Sequence, residues 1–188
     1  MTARSKGFSL LELLSVVSII SIIAAIAIPN LLRSRMAANE ASAVGSIRAI
    51  NAAAIEYYVT YGNGFPPSLV AIGTTTGSAV SCTNAQLIDA VLTTGVKDGY
   101  TFALQNGLIQ LTSAASSCAG VYGYSDGYAI EATPVTVGMA GQRAFCLDAT
   151  GIIRFNSRGT VSPSGGLCLT TDSPLEEGSS TSPGTLRQ

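Results

Sequence analysis

The sequence has no histidine and no tryptophan, and only 11% of its 188 residues are charged. Histidine is the commonest general base and metal ligand, so its absence excludes the usual catalytic triads and argues against enzymatic chemistry. The 10 basic and 11 acidic residues nearly cancel, which gives no electrostatic reason to expect a nucleic-acid partner. We therefore expect no catalytic residues, no cofactor, no metal, no nucleic acid and no small-molecule substrate.

Cysteine is scarce, and its four residues, Cys82, Cys118, Cys146 and Cys168, are widely spaced. No pair has the CxxC spacing of zinc or redox motifs. Four such cysteines behind a membrane-targeting segment suggest two disulfides and an oxidising compartment. Spacing alone leaves three pairings open, and four reduced, buried cysteines are a further alternative.

The chain is rich in apolar residues near its start, where the run 10–28 is interrupted only by Glu12 and three serines. A helix of this length would be about 30 Å long, which is enough to cross the hydrocarbon core of a bilayer. A conventional signal peptide is an alternative, since Ala24, Ala25 and Ala27 offer a small-residue cleavage site. The length of the run and the helical pattern that continues beyond it favour a lasting membrane helix instead.

The stretch "KGFSLLELL…AAIAIPNLL" resembles the N-terminal signature of type IV pilins and of the related pseudopilins of type II secretion. The resemblance covers residues 6–35. It implies that a membrane aspartyl peptidase cuts after Gly7 and methylates the new N-terminus at Phe8. Glu12 then becomes the fifth mature residue, and Pro29 ends the first apolar run. Ser21 departs from the pattern, because many pilins have glycine there and unwind between that glycine and the proline on assembly.

The resemblance also implies a location and partners. Residues 1–7 would be a leader that the prepilin peptidase removes on the cytoplasmic side of a bacterial inner membrane. The C-terminal domain would then lie outside, and the assembly machinery would polymerise identical subunits into an extracellular filament. We favour the disulfides Cys82–Cys118 and Cys146–Cys168, because the second closes a loop like the C-terminal disulfide-bounded loop of many pilins.

Glu12 is the feature of the apolar run that most needs an explanation. A carboxylate in hydrocarbon costs a few kcal/mol on insertion scales, and a neighbouring cation would remove most of that cost. The new amine of Phe8 is four residues away in the same helix, or it could come from a staggered neighbouring subunit. The alternative is that Glu12 reaches the head groups and plays no part in assembly. Ser15, Ser18 and Ser21 either permit close helix approach or bond their own backbone.

Beyond Pro29, where we expect a kink, apolar residues recur at helical spacing as far as residue 61. We predict an α+β fold: a long N-terminal α-helix, with a transmembrane half (8–28) and an amphipathic half (29–61), packed on a C-terminal antiparallel β-sheet. The predicted apolar stripe is Val44, Ile47, Ile50, Ala54, Ile55 and Tyr58. An αβ-loop (62–98) contains a short helix at 84–92. The sheet and disulfide loop (99–171) are followed by a mobile tail (172–188).

Five strands are predicted in the sheet: 100–104, 108–112, 127–132, 143–148 and 152–155. "QNG" would join the first two and "DATG" the last two as hairpins. Asp126 and Asp148 fall at turns, where aspartate is common without any catalytic role. The trio of Arg143, Arg154 and Arg158 indicates a solvated sheet edge rather than a basic patch for DNA.

Of three functions, we predict the first, a structural subunit of a type IV pilus. The second is a pseudopilin of a periplasmic fibre. Pseudopilins often bind calcium in the C-terminal loop, where Asp172, Glu176 and Glu177 could supply oxygens, although a solvated acidic tail explains these residues as well. The third is a membrane-anchored binding module that never polymerises.

Overall fold

The computed structural model describes residues 9–75, 77–113, 118, 120–169 and 171–175. Three helices and six strands follow in chain order. They are α1 (Leu10–Tyr61), α2 (Leu69–Ile72), α3 (Ala90–Thr93), β1 (Val96–Lys97), β2 (Tyr100–Asn106), β3 (Tyr128–Pro134), β4 (Ala144–Asp148), β5 (Ile153–Asn156) and β6 (Ser173–Pro174). The predicted α+β class is therefore confirmed.

Helix α1 is a single element of 52 residues, which corresponds to a length of about 78 Å. The helix continues through Pro29 without interruption. It ends at Gly62, whose left-handed backbone (φ 59°) lets its N–H bond to the carbonyl of Tyr58 at 3.0 Å. Glycine is the usual residue for this left-handed cap because a Cβ would be strained there.

The six strands are hydrogen-bonded in chain order, and every neighbouring pair is antiparallel. β1 and β2 are joined by Asp98 and Gly99, both at positive φ (47° and 76°). These two residues form the tight Asp-Gly hairpin turn that suits the twist of the flanking strands. The "DATG" hairpin between β4 and β5 is confirmed, with the N–H of Gly151 bonded to the carbonyl of Asp148.

The C-terminal half of α1 packs across the sheet, and one face of this half of the helix is buried there. The term head is used below for α1 from Glu40 onward together with the sheet and its loops. The buried face of α1 was predicted with an error of about one residue. Ile55 and Tyr58 are about half exposed, whereas Ser46, Ala53 and Tyr57 are buried.

Strand β4 is buried on both faces. Phe145 and Leu147 join the main core under α1, while Cys146 packs with Ala129 and Cys168 on the opposite face. The loop that ends at Cys168 therefore covers the outer face of the sheet. The structure pairs Cys146 with Cys168 and Cys82 with Cys118, which is the pairing that the sequence analysis favours.

The predicted strand 108–112 and the "QNG" hairpin before it are wrong. β2 continues to Asn106, which pairs with Tyr128 of β3. The carboxylate of Asp126 then accepts the N–H groups of Leu108 and Ile109. These bonds direct the chain away from β2, and residue 110 makes only an isolated bridge to residue 124.

The αβ-loop differs from its prediction in the position of its helix. α3 begins only after Asp89, whose carboxylate caps it by accepting the N–H of Leu92 at 2.7 Å. The preceding residues are not helical, because the backbone N–H groups of Ala85 and Leu87 donate to the carbonyls of Ala71 and Ile72 and not to carbonyls of their own segment. At the other end, residues 173 and 174, assigned to the tail, form β6 on the edge of the sheet. The rest of the predicted tail, from 176, lies outside the described residues.

The disulfide over the outer face gives a first prediction. Cys146 and Cys168 are 22 residues apart, and closing a loop of this size stabilises a fold by roughly 3 kcal/mol in the chain-entropy model. We expect the double variant Cys146→Ala, Cys168→Ala to lose about that much free energy of unfolding. The measurement is thermal unfolding of the full chain in detergent, monitored by circular dichroism. An unchanged melting temperature would show that the covered face of β4 does not depend on this bond.

Candidate functional site

The N-terminal half of α1 exposes all of its large apolar side chains. Their exposed fractions range from 47% at Val17 to 82% at Leu10, and the most apolar window of the helix has a mean hydropathy of 2.6 with none of it buried. By length and composition, α1 could cross a membrane. Such a surface is stable only when lipid or other apolar helices cover it.

Glu12 lies in the first turn of this half and is exposed. Ser9 precedes the helix, and its carbonyl accepts the N–H groups of Glu12 and Leu13 at 3.1 and 3.2 Å. The side chain of Ser9 makes no capping bond. A carboxylate here is favoured by the helix dipole, which adds a local reason for an acid at this position. Gly7 and Phe8, the predicted cleavage and methylation residues, lie outside the described residues.

The serine stripe bonds to its own helix. The hydroxyls of Ser15, Ser18 and Ser21 donate to the carbonyls of Glu12, Leu14 and Val17 at 2.7–2.9 Å. This is the local backbone bonding that the sequence analysis named as one of two explanations. These hydroxyls therefore need no partner from another helix, and the small size of serine is what they offer to a neighbour.

Glu40 marks the point at which α1 enters the head, and it was missed from the sequence. Its side chain is only 11% exposed and forms an ion pair of 2.7 Å with Arg143. Oε1 accepts the backbone N–H groups of Gln142 and Arg143, and Oε2 accepts Nε–H of Arg143 at 2.8 Å. A single carboxylate therefore fixes α1 to the start of β4.

The pKa of Glu40 reflects two opposing influences. Burial raises it, but the hydrogen bonds from Gln142 and from Arg143, together with the charge of Arg143, hold the pKa below the ordinary value of 4.5. The carboxylate is thus ionised in the folded protein at neutral pH. Because the folded pKa is the lower one, this stabilisation is present above 4.5 and is lost as the pH falls through the folded value.

The arginine trio does not form one free basic patch. Arg143 pairs with Glu40 and lies over the rings of Phe145 and Phe155 at 5.5 and 5.4 Å. Arg154 donates to the backbone carbonyl of Asp172 at 3.4 Å. Two of the three guanidinium groups are therefore held by the fold itself.

Aromatic residues fix the far end of α1 to the rest of the head. The hydroxyl of Tyr57 donates to the carbonyl of Cys82 at 3.0 Å, which links the helix to the first disulfide. Burial raises the pKa of the Tyr57 hydroxyl. Phe65 lies between Tyr58 and Tyr128, with ring centroids 5.0 and 4.8 Å apart. Packing of the αβ-loop on the helix therefore accounts for this cluster.

The two predicted turn acids have structural roles in the described part of the chain. Asp148 accepts the N–H of Thr150 in the β4–β5 turn and that of Cys168 at 3.1 Å, so it fixes the end of the disulfide loop. Asp126 holds the segment after β2, as described above. Among the described residues, no group of three or more histidine, cysteine, aspartate or glutamate side chains could hold a metal ion. Glu176 and Glu177 lie outside those residues.

The comparisons with known proteins bear on the start of the chain. Residues 2–28 match the family model described as the prokaryotic N-terminal methylation motif. This motif is the class III signal of type IV pilins and pseudopilins, so the chain carries the signal of a prepilin peptidase substrate. Its long helix on a six-stranded antiparallel sheet is consistent with the pilin α+β fold. No curated protein and no solved structure matched the chain.

A sequence signal for Glu40 was nevertheless present. No basic residue lies three or four positions from it on α1, so it has no helix partner. It also lies four and seven residues before Val44 and Ile47 of the predicted apolar stripe, and therefore on the same face of the helix. An unpaired acid in line with a buried stripe indicates a partner from elsewhere in the fold.

The ion pair yields a second prediction. We expect Glu40→Gln to lower the free energy of unfolding at neutral pH by about 2 kcal/mol, because hydrogen bonds to charged groups are lost. We also expect the variant to lose less stability than the wild type as the pH falls below 4.5. Thermal unfolding of the full chain in detergent, measured across pH, tests both.

Glu56→Gln is the matched control, since Glu56 is an exposed acid on the same helix. It should change stability by no more than about 0.5 kcal/mol. Equal effects of the two substitutions would contradict an anchoring role for Glu40.

Proposed function

We propose that this protein is the structural subunit of a type IV pilus. It is inserted in the inner membrane through α1, cut after Gly7 by the prepilin peptidase and polymerised into a surface filament by the pilus assembly machinery. The observation that supports this most directly is the uncovered apolar half of α1 behind a methylation motif. Lipid covers this surface in the precursor, and the helices of identical subunits cover it in the filament.

Glu12 has a specific part in this proposal. Cleavage after Gly7 creates a positively charged amine on Phe8, and a carboxylate in an apolar bundle is stabilised by such a cation. Pairing of Glu12 with the amine of a neighbouring subunit would fix the stagger between adjacent helices. Pro29 would let α1 adjust within the bundle, since it lacks the N–H that would otherwise bond to the carbonyl of Ala25.

A pseudopilin is the second candidate, because the methylation motif occurs in both classes. The two disulfides favour the pilus subunit, whereas a calcium-dependent fold would favour the pseudopilin. The location of the processed protein separates the two: pilus subunits are sheared from the cell surface, and pseudopilins remain with the cell envelope.

The third prediction concerns Glu12. Glu12→Leu should insert in the membrane and be processed, but it should yield few or no sheared filaments, because the register pair is lost. Glu12→Asp keeps the charge and should restore part of the yield. The measurement is the amount of protein in the sheared fraction relative to the membrane fraction of the same cells.

Glu56→Leu serves as the control, because it also replaces an exposed acid of α1 with leucine but lies in the head. It should leave the filament yield unchanged. Normal yield from Glu12→Leu would contradict the register role of Glu12 while leaving the pilus proposal intact.

A further inference from the structure

The loop between β3 and β4 is fixed to α1 just beyond the apolar half. The side-chain amide of Asn39 donates to the carbonyl of Ala140 at 2.8 Å. Glu40 holds the end of the loop through Gln142 and Arg143, as described above. Within the loop, the N–H of Ala140 bonds to the carbonyl of Thr136 at 2.9 Å. The position of the loop along α1 is therefore set by the fold.

This loop presents apolar side chains to solvent. Val135, Val137 and Met139 are 60%, 46% and 74% exposed. Met139 faces Leu32, itself 54% exposed, across a cleft of about 480 Å³. The remaining lining residues of the cleft are Arg35, Asn39, Asp98, Gly99 and Gly138. Through Leu32 and Met139, the apolar surface of α1 thus continues onto the β3–β4 loop.

The height of the loop above a bilayer follows from the geometry of α1. Leu32 and Asn39 are seven residues apart, which is about 10 Å along the axis. The head-group layer of a leaflet is roughly 5–8 Å thick. With the run 10–28 in hydrocarbon, Arg33 and Arg35 reach the level of the lipid phosphates. Met139 lines the same cleft as Leu32 and Arg35, which places it close to that level.

We propose that the β3–β4 loop, through Val135, Val137 and Met139, is a lipid-contacting surface that seats the head on the outer face of the membrane before assembly. This rests on membrane insertion of α1, as in the proposed function. Because the Glu40–Arg143 pair fixes the loop to α1, the seat limits how far the helix can sink and so sets the depth of Glu12.

The charges around the loop favour lipid over a second copy of the chain. Arg33 and Arg35 form no ion pair with any described residue, so both are available to lipid phosphates. Asp98, the acid of the cleft, accepts a hydrogen bond from Ser42 at 2.6 Å. The apolar half of another copy offers a single carboxylate, Glu12, whereas a bilayer offers phosphates around the whole helix.

The absence of tryptophan makes a direct test practical. Single-tryptophan variants Met139→Trp, Val135→Trp, Ile20→Trp and Leu108→Trp of the full chain are reconstituted in vesicles of phosphatidylethanolamine and phosphatidylglycerol. Lipids brominated high on the acyl chain quench tryptophan near the interface. Leu108 is the control, because it is 82% exposed but follows β2 near the far end of α1, where residue 110 bridges to residue 124 beside Phe65.

We expect Met139→Trp and Val135→Trp to lose most of their fluorescence and to emit at shorter wavelength, with Leu108→Trp unaffected. Ile20→Trp must be quenched by lipids brominated deep in the chain. If it is not, α1 is not inserted, and both the membrane insertion of α1 and the lipid contact of the loop are overturned. If Ile20→Trp is quenched but neither loop variant is, only the lipid contact of the loop is overturned. Loop emission that depends on the protein-to-lipid ratio but not on bromine would assign the loop to a second copy instead.

Discussion

The uncovered apolar half of α1 is the constraint on which the rest of the structure depends. Its large apolar side chains from Leu10 to Leu32 are all about half exposed or more in the described chain, and water cannot solvate such a surface without a large free-energy cost. The helix must therefore lie in lipid or among other apolar helices. This segment is therefore stable in either of two surroundings, lipid or a bundle of apolar helices. Transfer from one to the other requires that the head stay folded in both.

The head meets this requirement because it includes only the second half of α1. Its core is formed by one face of the helix, with Ile47, Ile50 and Tyr57 fully buried against the sheet. The Glu40–Arg143 pair closes the lower end of this contact, and the bond from Tyr57 to Cys82 closes the upper end. The first half of α1 can thus exchange one apolar surrounding for another while the head keeps its structure.

Local patterns predicted the features whose causes are local. The long helix, four of the strands and the β4–β5 hairpin follow from periodicity and turn residues. The buried face of α1 was shifted because the sheet meets it at small residues such as Ser46 and Ala53, which carry little hydrophobic signal. Residues 108–112 alternate like a strand, but the carboxylate of Asp126 binds the N–H groups of Leu108 and Ile109 instead. β1 and β6 have two residues each, too few for any pattern.

Contacts between distant residues could not be read in the same way. Glu40 and Arg143 are 103 residues apart, and only the completed fold brings them together. The position of Met139 beside Leu32 of α1 is likewise set by the completed fold and could not be predicted from the sequence. The signal at the start of the chain is different, because a peptidase reads it as sequence, and this explains why it could be recognised without a structure.

The most direct test of the account is the intact mass of the protein sheared from the surface of intact cells. We expect a chain that begins at Phe8, carries one added methyl group and lacks four hydrogens because both disulfides are formed. The same processed chain found only in the membrane fraction would indicate a pseudopilin. A chain that still contains residues 1–7 would contradict processing at Gly7, and with it the role proposed for Glu12.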